Sequence, residues 1–160
     1  AHLAAPFRSF VRKAARNALA AATASAKVSL FNPDALALLQ KPFIGRMAVV
    51  DFDGYPHSVP VWYMLDGDDL VITSFRDTRK VEYLRANPKG SIVVGGEDEV
   101  GIGYLIKGEF TVEDDLDWSW QRKITLLYED PVTAEAHLAE WSQQPAVLIR
   151  LHPRKVVKVY

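Results

Sequence analysis

Between residues 44 and 74 the sequence reverses direction twice in a short span. Asp53-Gly54 and Asp66-Gly67-Asp68-Asp69 are tight-turn sequences, because aspartate and glycine tolerate the backbone angles a hairpin demands. Each is flanked by strand-forming residues. Gly45–Phe52 reads as a first strand, His57–Leu65 as a second and Leu70–Ser74 as a third. Ser91–Val94, Tyr104–Val112 and Ala146–Tyr160 add three more, the last with a bend expected at Pro153. Helical signals are fewer. Asn32-Pro33-Asp34 opens a short helix through Leu39, Thr78–Ala86 forms another, and Asp115–Tyr128 and Thr133–Ser142 precede the last strand. Strands joined in hairpin order pair antiparallel. The expected class is therefore mainly β with flanking helices, arranged as a six-stranded antiparallel barrel of the split type.

A chain of 160 residues with 49% hydrophobic content can bury one sizeable core. Residues 31–160 are expected to form one domain, since no shift in composition divides them. Residues 1–30 differ. They carry Arg8, Arg12, Lys13, Arg16 and Lys27 and no acid. This composition resembles an organelle transit peptide. Phe7, Val11, Ala14, Ala18 and Ala22 also recur at helical spacing, beside an arginine stripe. That pattern predicts a basic amphipathic helix docked on the body or on a second subunit, with a membrane-surface role as the alternative. No apolar run reaches about 18 residues, so no spanning helix and no membrane partner are expected. A net charge of -1 argues against bulk-charge binding of nucleic acid. The absence of cysteine excludes disulfides, thiolate metal sites and cysteine nucleophiles, and fits a cytoplasmic setting.

Several chemistries find no support in the sequence. The chain has no phosphate-binding loop of the Walker type and no G-x-G-x-x-G opening a helix. His2, His57, His137 and His152 are scattered without metal-ligand spacing. The serines lack a nucleophile-elbow context. No side chain stands out as a catalytic acid or base. His57 reads as a positioning residue, and Trp118, Trp120 and Tyr128 as packing residues.

The informative stretch is Thr73-Ser74-Phe75-Arg76-Asp77-Thr78-Arg79-Lys80. It begins at a strand end and runs into a helix start. Thr73, Ser74 and Thr78 supply hydroxyls, while Arg76, Arg79 and Lys80 supply cations. Helix-start amides and the helix dipole add attraction for an anion. Several donors converging from one short segment suit a phosphate monoester. The competing reading is a solvated helix start with ordinary capping.

The order of motifs then becomes specific. Gly54-Tyr55-Pro56-His57-Ser58-Val59-Pro60-Val61-Trp62, Asp66-Gly67, Thr73 through Lys80 and Leu84-Arg85-Ala86-Asn87-Pro88 follow one another. This succession resembles the pyridoxamine 5'-phosphate oxidase-like superfamily of split barrels, over about residues 36–112. Members bind FMN, and a related branch binds the deazaflavin F420. The resemblance implies that the backbone of Val59, Pro60, Val61 and Trp62 passes the ring edge. It implies that Thr73, Thr78, Arg79 and Lys80, with Ser74 nearby, hold the phosphate. It also implies a homodimer with the cofactor at the subunit interface, and cofactor-centred oxidoreductase chemistry on a small-molecule substrate.

Departures narrow the expectation. Trp62 stands where the vitamin oxidase has a lysine, and Ile102 falls near an expected glutamine. Arg150-Leu151-His152 looks like the oxidase's substrate segment but lies inside the last strand. True pyridoxamine-phosphate oxidation is therefore not expected. The Arg79-Lys80 pair favours FMN. Lys80 followed by Leu84-Arg85 also resembles F420 members, so an F420-dependent reductase is the alternative. Two further alternatives are a non-catalytic module that stores or senses a flavin, and a haem site using His137 or His152.

Overall fold

The computed structural model describes residues 28–97 and 101–159. The expected N-terminal helix lies outside these residues, apart from its last three positions, which carry no helix. Asn32 opens α1 (Pro33–Leu39) by accepting the Ala35 N–H at 2.8 Å, as its position before a proline predicts. Ala35, Leu38 and Leu39 bury the inner face of α1. The chain then builds β1 (Gly45–Val50), β2 (Pro56–Val61), β3 (Met64–Asp66) and β4 (Asp69–Phe75). The first hairpin turn is held by Asp51, whose carboxylate accepts the N–H groups of Asp53 and Tyr55. Gly54 takes the positive φ, +87°, that the turn needs.

After β4 come α2 (Arg79–Ala86), β5 (Lys89–Gly95), β6 (Gly103–Asp114), α3 (Ser119–Tyr128), α4 (Pro131–Trp141) and β7 (Ala146–Lys158). The mainly β class with flanking helices is observed. The six-stranded barrel is corrected to one seven-stranded antiparallel sheet, ordered β2-β1-β5-β6-β7-β4-β3, whose ladder is not closed. The extra strand arises at Trp62-Tyr63. There the expected second strand divides, because a side chain from α3 takes the backbone groups a ladder would use. The Tyr128 hydroxyl accepts the Tyr63 N–H at 3.0 Å and lies 2.8 Å from the Phe43 carbonyl. The two edge strands of the sheet are thus neighbours in sequence, which keeps the sheet curled.

β7 sits inside the sheet, between β6 and β4. The expected bend near Pro153 takes the form of a bulge. Lys107 pairs with Lys155 and Gly108 with Pro153, which leaves Arg154 as the extra residue. The main core lies on one sheet face, where Met47, Leu70, Ile72, Ile92, Ile106 and Ile149 meet α1 and α2. On the other face Val71 and Leu148 pack with Ile124 of α3. Burial on both faces explains the unbroken apolar run Leu70-Val71-Ile72.

The helix expected from Asp115 begins later, at Ser119. Asp115 instead acts as its anchor, accepting the Trp120 and Gln121 N–H groups, while Trp118 adopts a left-handed φ of 59°. No helix among the described residues is long and apolar enough to cross a membrane.

Candidate functional site

β4 ends and α2 begins around one short loop, and this loop forms the wall between two cavities. Ile44, Pro60, Val61 and Trp62 line the larger, of about 300 Å³. Ser74, Phe75, Thr78 and Trp141 line the smaller, of about 190 Å³. Thr73, Lys80 and Gln121 belong to both. The larger space has an apolar rim from the end of β2, and the smaller has hydroxyls.

Trp62 is fixed at the rim of the larger cavity. Its ring stacks on Tyr128, with centroids 5.0 Å apart and planes within 8°. Burial pushes the Tyr128 hydroxyl up to about 12. It therefore stays protonated and keeps its grip on the backbone at Phe43 and Tyr63.

The smaller cavity is a set of polar groups with spare capacity. The Thr78 hydroxyl donates to the Phe75 carbonyl at 3.0 Å and lies 3.2 Å from the buried Ser74 hydroxyl. Thr78 is the cap residue of α2, yet its side chain makes no capping bond. The amides of Arg79 and Lys80 are first-turn donors without intrahelical acceptors. They add to the positive end of the helix dipole. Lys80 makes no ion pair among the described residues, and burial alone lowers its ammonium pKa below the usual lysine value. A half-buried cation without a carboxylate is an incomplete electrostatic arrangement.

Gln121 shows a second deficit. The residue is 7% exposed, and its Oε1 has no hydrogen-bond partner among the described residues. An unpaired buried acceptor costs about 1–3 kcal/mol. One wall thus holds both a cation lacking an anion and an acceptor lacking a donor. These residues fit a ligand with a ring at one end and a phosphate at the other.

The structure brings together Pro60, Val61, Trp62, Thr73, Ser74, Thr78 and Lys80 from the expected set. It does not bring Arg79, whose guanidinium pairs with Glu82 at 3.0 Å and whose side chain is 72% exposed. Arg76 is turned to Asp114 at 2.8 Å. The Val59 side chain packs toward the main core, so only its backbone remains for a ligand. Arg150 and His152 line neither cavity. Arg150 lies 2.8 Å from Asp66, and His152 lies 3.2 Å from Asp69 and 3.1 Å from Thr111. His57 packs edge-on against Tyr83. No cluster of three metal-ligating side chains occurs among the described residues.

Sequence reasoning missed Ile44, Gln121 and Trp141. Gln121 did carry a signal. It interrupts the stripe Trp118, Ile124, Tyr128 at helical spacing, where an apolar residue is the ordinary choice. Trp141 and Ile44 carried none.

Comparison with known proteins bears on the whole described body. Residues 31–160 match the family model for pyridoxamine 5'-phosphate oxidase. No curated protein matches the chain in sequence. Among solved structures, an F420 reductase superposes with a TM-score of 0.62 at 23% identity, covering 76% of this chain and 94% of that one. A FAD-binding protein from Mesorhizobium loti gives 0.57 at 23%, covering 78% and 89%. A heme binding protein from Mycobacterium smegmatis gives 0.55 at 19%, covering 76% and 50%. At such identities the likeness is one of fold, and the three proteins are named for different ligands. The choice among ligands therefore falls to the residues of the site.

Proposed function

The chain belongs to the pyridoxamine 5'-phosphate oxidase family, and on that premise we propose that it binds a phosphorylated flavin, FMN or the deazaflavin F420, and serves as an oxidoreductase for a small molecule. The observation that carries this reading is Lys80. It is a half-buried ammonium with no ion-pair partner among the described residues, and it stands between an apolar-rimmed cavity and a hydroxyl-lined one.

The bound ring supplies the hydride chemistry. The protein's own residues bind, orient and exclude water. Pro60, Val61 and Trp62 offer a flat apolar edge and backbone groups for a ring in the larger cavity. Pro60 has no N–H, so donors come from its neighbours. Thr73, Ser74, Thr78 and the first amides of α2 offer hydrogen bonds to phosphate oxygens. Lys80 adds a charge-assisted one. Among the described residues, no carboxylate or histidine lines either cavity.

The F420 branch draws support from the F420 reductase among the structural neighbours and from Lys80 followed by Leu84-Arg85, with Arg79 turned away to Glu82. A haem reading would need His137 or His152. Both are engaged by carboxylates, Glu129 at 2.8 Å and Asp69 at 3.2 Å, and neither lines either of these two cavities. A homodimer is part of the proposal. Phe52 and Tyr55 are 66% and 70% exposed at the tip of the β1–β2 hairpin, beside the edge strand that carries Pro60. A second copy seated on this tip, at the far end of β2 from Pro60, would cover its two aromatic rings. Sedimentation of the purified protein at the mass of one chain would remove that part.

The central test is titration of the protein with FMN, F420 and riboflavin, followed by fluorescence. A phosphorylated ligand is expected to bind about 10- to 100-fold more tightly than riboflavin, the worth of one charge-assisted contact. No binding of FMN or F420, or equal binding of FMN and riboflavin, would overturn the reading. Turnover with NAD(P)H or reduced F420 then separates an enzyme from a carrier.

A further inference from the structure

A third cavity, of about 410 Å³, shares no lining residue with the other two. Leu36, Leu39 and Gln40 of α1 form one wall, Met64 and Leu65 of β3 another, and Leu127 of α3 a third. Both apolar clusters come to the surface there. Leu36 and Leu65 are half-buried against the main core, and Met64 against the cluster around Ile124. β3 is an edge strand, paired only with β4 among the described residues. Such a groove leaves apolar side chains and a strand edge open together, and both gain from a cover.

The chain's own beginning is tethered beside this groove. Residues 1–27 lie outside the described residues. The described chain starts at Val28, 88% exposed, and Leu30, 49% exposed, and is anchored by the buried Phe31 just ahead of α1. α1 has seven residues, about 10 Å at 1.5 Å each. A segment that folds back along α1 therefore reaches β3 and Leu127. In sequence, Leu3, Phe7, Phe10, Val11, Ala14 and Ala18 recur at helical spacing, with Arg8, Arg12 and Arg16 beside them and no acid. The groove carries the opposite charge. Gly67 lines it, within the turn Asp66-Gly67-Asp68-Asp69. Arg150 pairs with Asp66 and Asp69, and Asp68 has no ion pair among the described residues. A tethered segment meets its site at an effective concentration of about millimolar, well above that of most separate partners.

We infer that residues 3–18 seat their apolar stripe in this groove, with the arginines turned toward the Asp66–Asp69 turn. The docked segment covers Leu36, Met64, Leu65 and Leu127 of its own chain. It also braces α3 one residue before Tyr128, whose ring stacks on Trp62.

The chain has no cysteine, so engineered pairs report alone. Ala14→Cys combined with Gln40→Cys, exposed on the groove wall, is compared with Ala14→Cys combined with Gln143→Cys, exposed beyond α4. Under mild oxidation of the full chain, the first pair is expected to close within one chain at least about tenfold faster than the second. Phe7→Asp is expected to bring the two rates together and to lower the melting temperature by about 4–10 °C. Equal rates without that substitution overturn the inference, and capture of the same protein by vesicles of anionic lipid then assigns the segment to a membrane surface. A first pair that closes only between chains overturns it in favour of a second copy. An unchanged melting temperature in Phe7→Asp also overturns it. The cysteine pairs keep Phe7, so they decide the matter even if Phe7→Asp fails to fold.

Discussion

Replacing Lys80 with methionine is expected to weaken the binding of FMN or F420 by about 10- to 100-fold, leave riboflavin unaffected, and raise the stability of the ligand-free protein. The first effect follows from losing a charge-assisted contact to phosphate. The second follows because riboflavin has no phosphate to lose. The third follows from burial, which holds the Lys80 ammonium pKa below the ordinary lysine value. Between the lowered folded value and the unfolded one, the unfolded chain carries more protons. Wild-type stability therefore rises with pH across that window and levels off above it. At neutral pH the ammonium is charged in both states and the burial cost is borne in full. Methionine removes it and flattens the pH profile over the same window. Phosphate binding by the wild type should fade as pH climbs and Lys80 loses its proton. Urea unfolding of both proteins at a series of alkaline pH values, with ligand titrations at neutral pH, checks all three. A variant that still prefers FMN to riboflavin would place the phosphate elsewhere.

Gly108→Ala should be among the most damaging single substitutions outside the site. A Cβ at this position would lie 2.1 Å from the His152 carbonyl oxygen and 2.9 Å from its carbon. Both atoms are backbone, and both belong to the strand pair that carries the bulge at Arg154. Relief requires separating β6 from β7 in the middle of the sheet. The expected loss is about 3–5 kcal/mol, set against a typical total of 5–15 kcal/mol. Gly54→Ala gives a contrast. Its φ is +87°, but nothing lies within 4 Å of the added carbon, so only the backbone penalty of about 1–2 kcal/mol applies. Thermal unfolding of the two variants should separate them clearly. Similar losses in both would mean that the bulge yields to the extra carbon.

The strands and turns were readable because each rests on local chemistry. Asp53-Gly54 needs only its own backbone angles, and the alternation of Met47 and Val49 needs only one buried face. The convergence of Thr73, Ser74, Thr78 and Lys80 was readable for the same reason, since a strand end, a turn and a helix start are close in sequence. Arg79 was not separable from Lys80. Successive helix residues point about 100° apart, and which one faces inward depends on how α2 lies on the sheet. The split at Trp62-Tyr63 comes from Tyr128, which is distant in the chain. Gln121 belongs to the site only because α3 crosses the outer face of β4 and β7. No local pattern encodes that crossing.

The inner position of β7 governs when the protein can begin to work. Without this strand the sheet falls into two pieces, β2-β1-β5-β6 and β4-β3. Trp62 and Thr73 would then lie on fragments with little to hold them together. During synthesis a chain emerges in order, so the segment through Lys158 must leave the ribosome before the two pieces can be joined. Capture of the proposed cofactor would in this sense be a last event in the birth of the molecule. A nascent chain arrested before Ala146 should carry nearly every residue proposed to bind the ligand and still be unable to retain it.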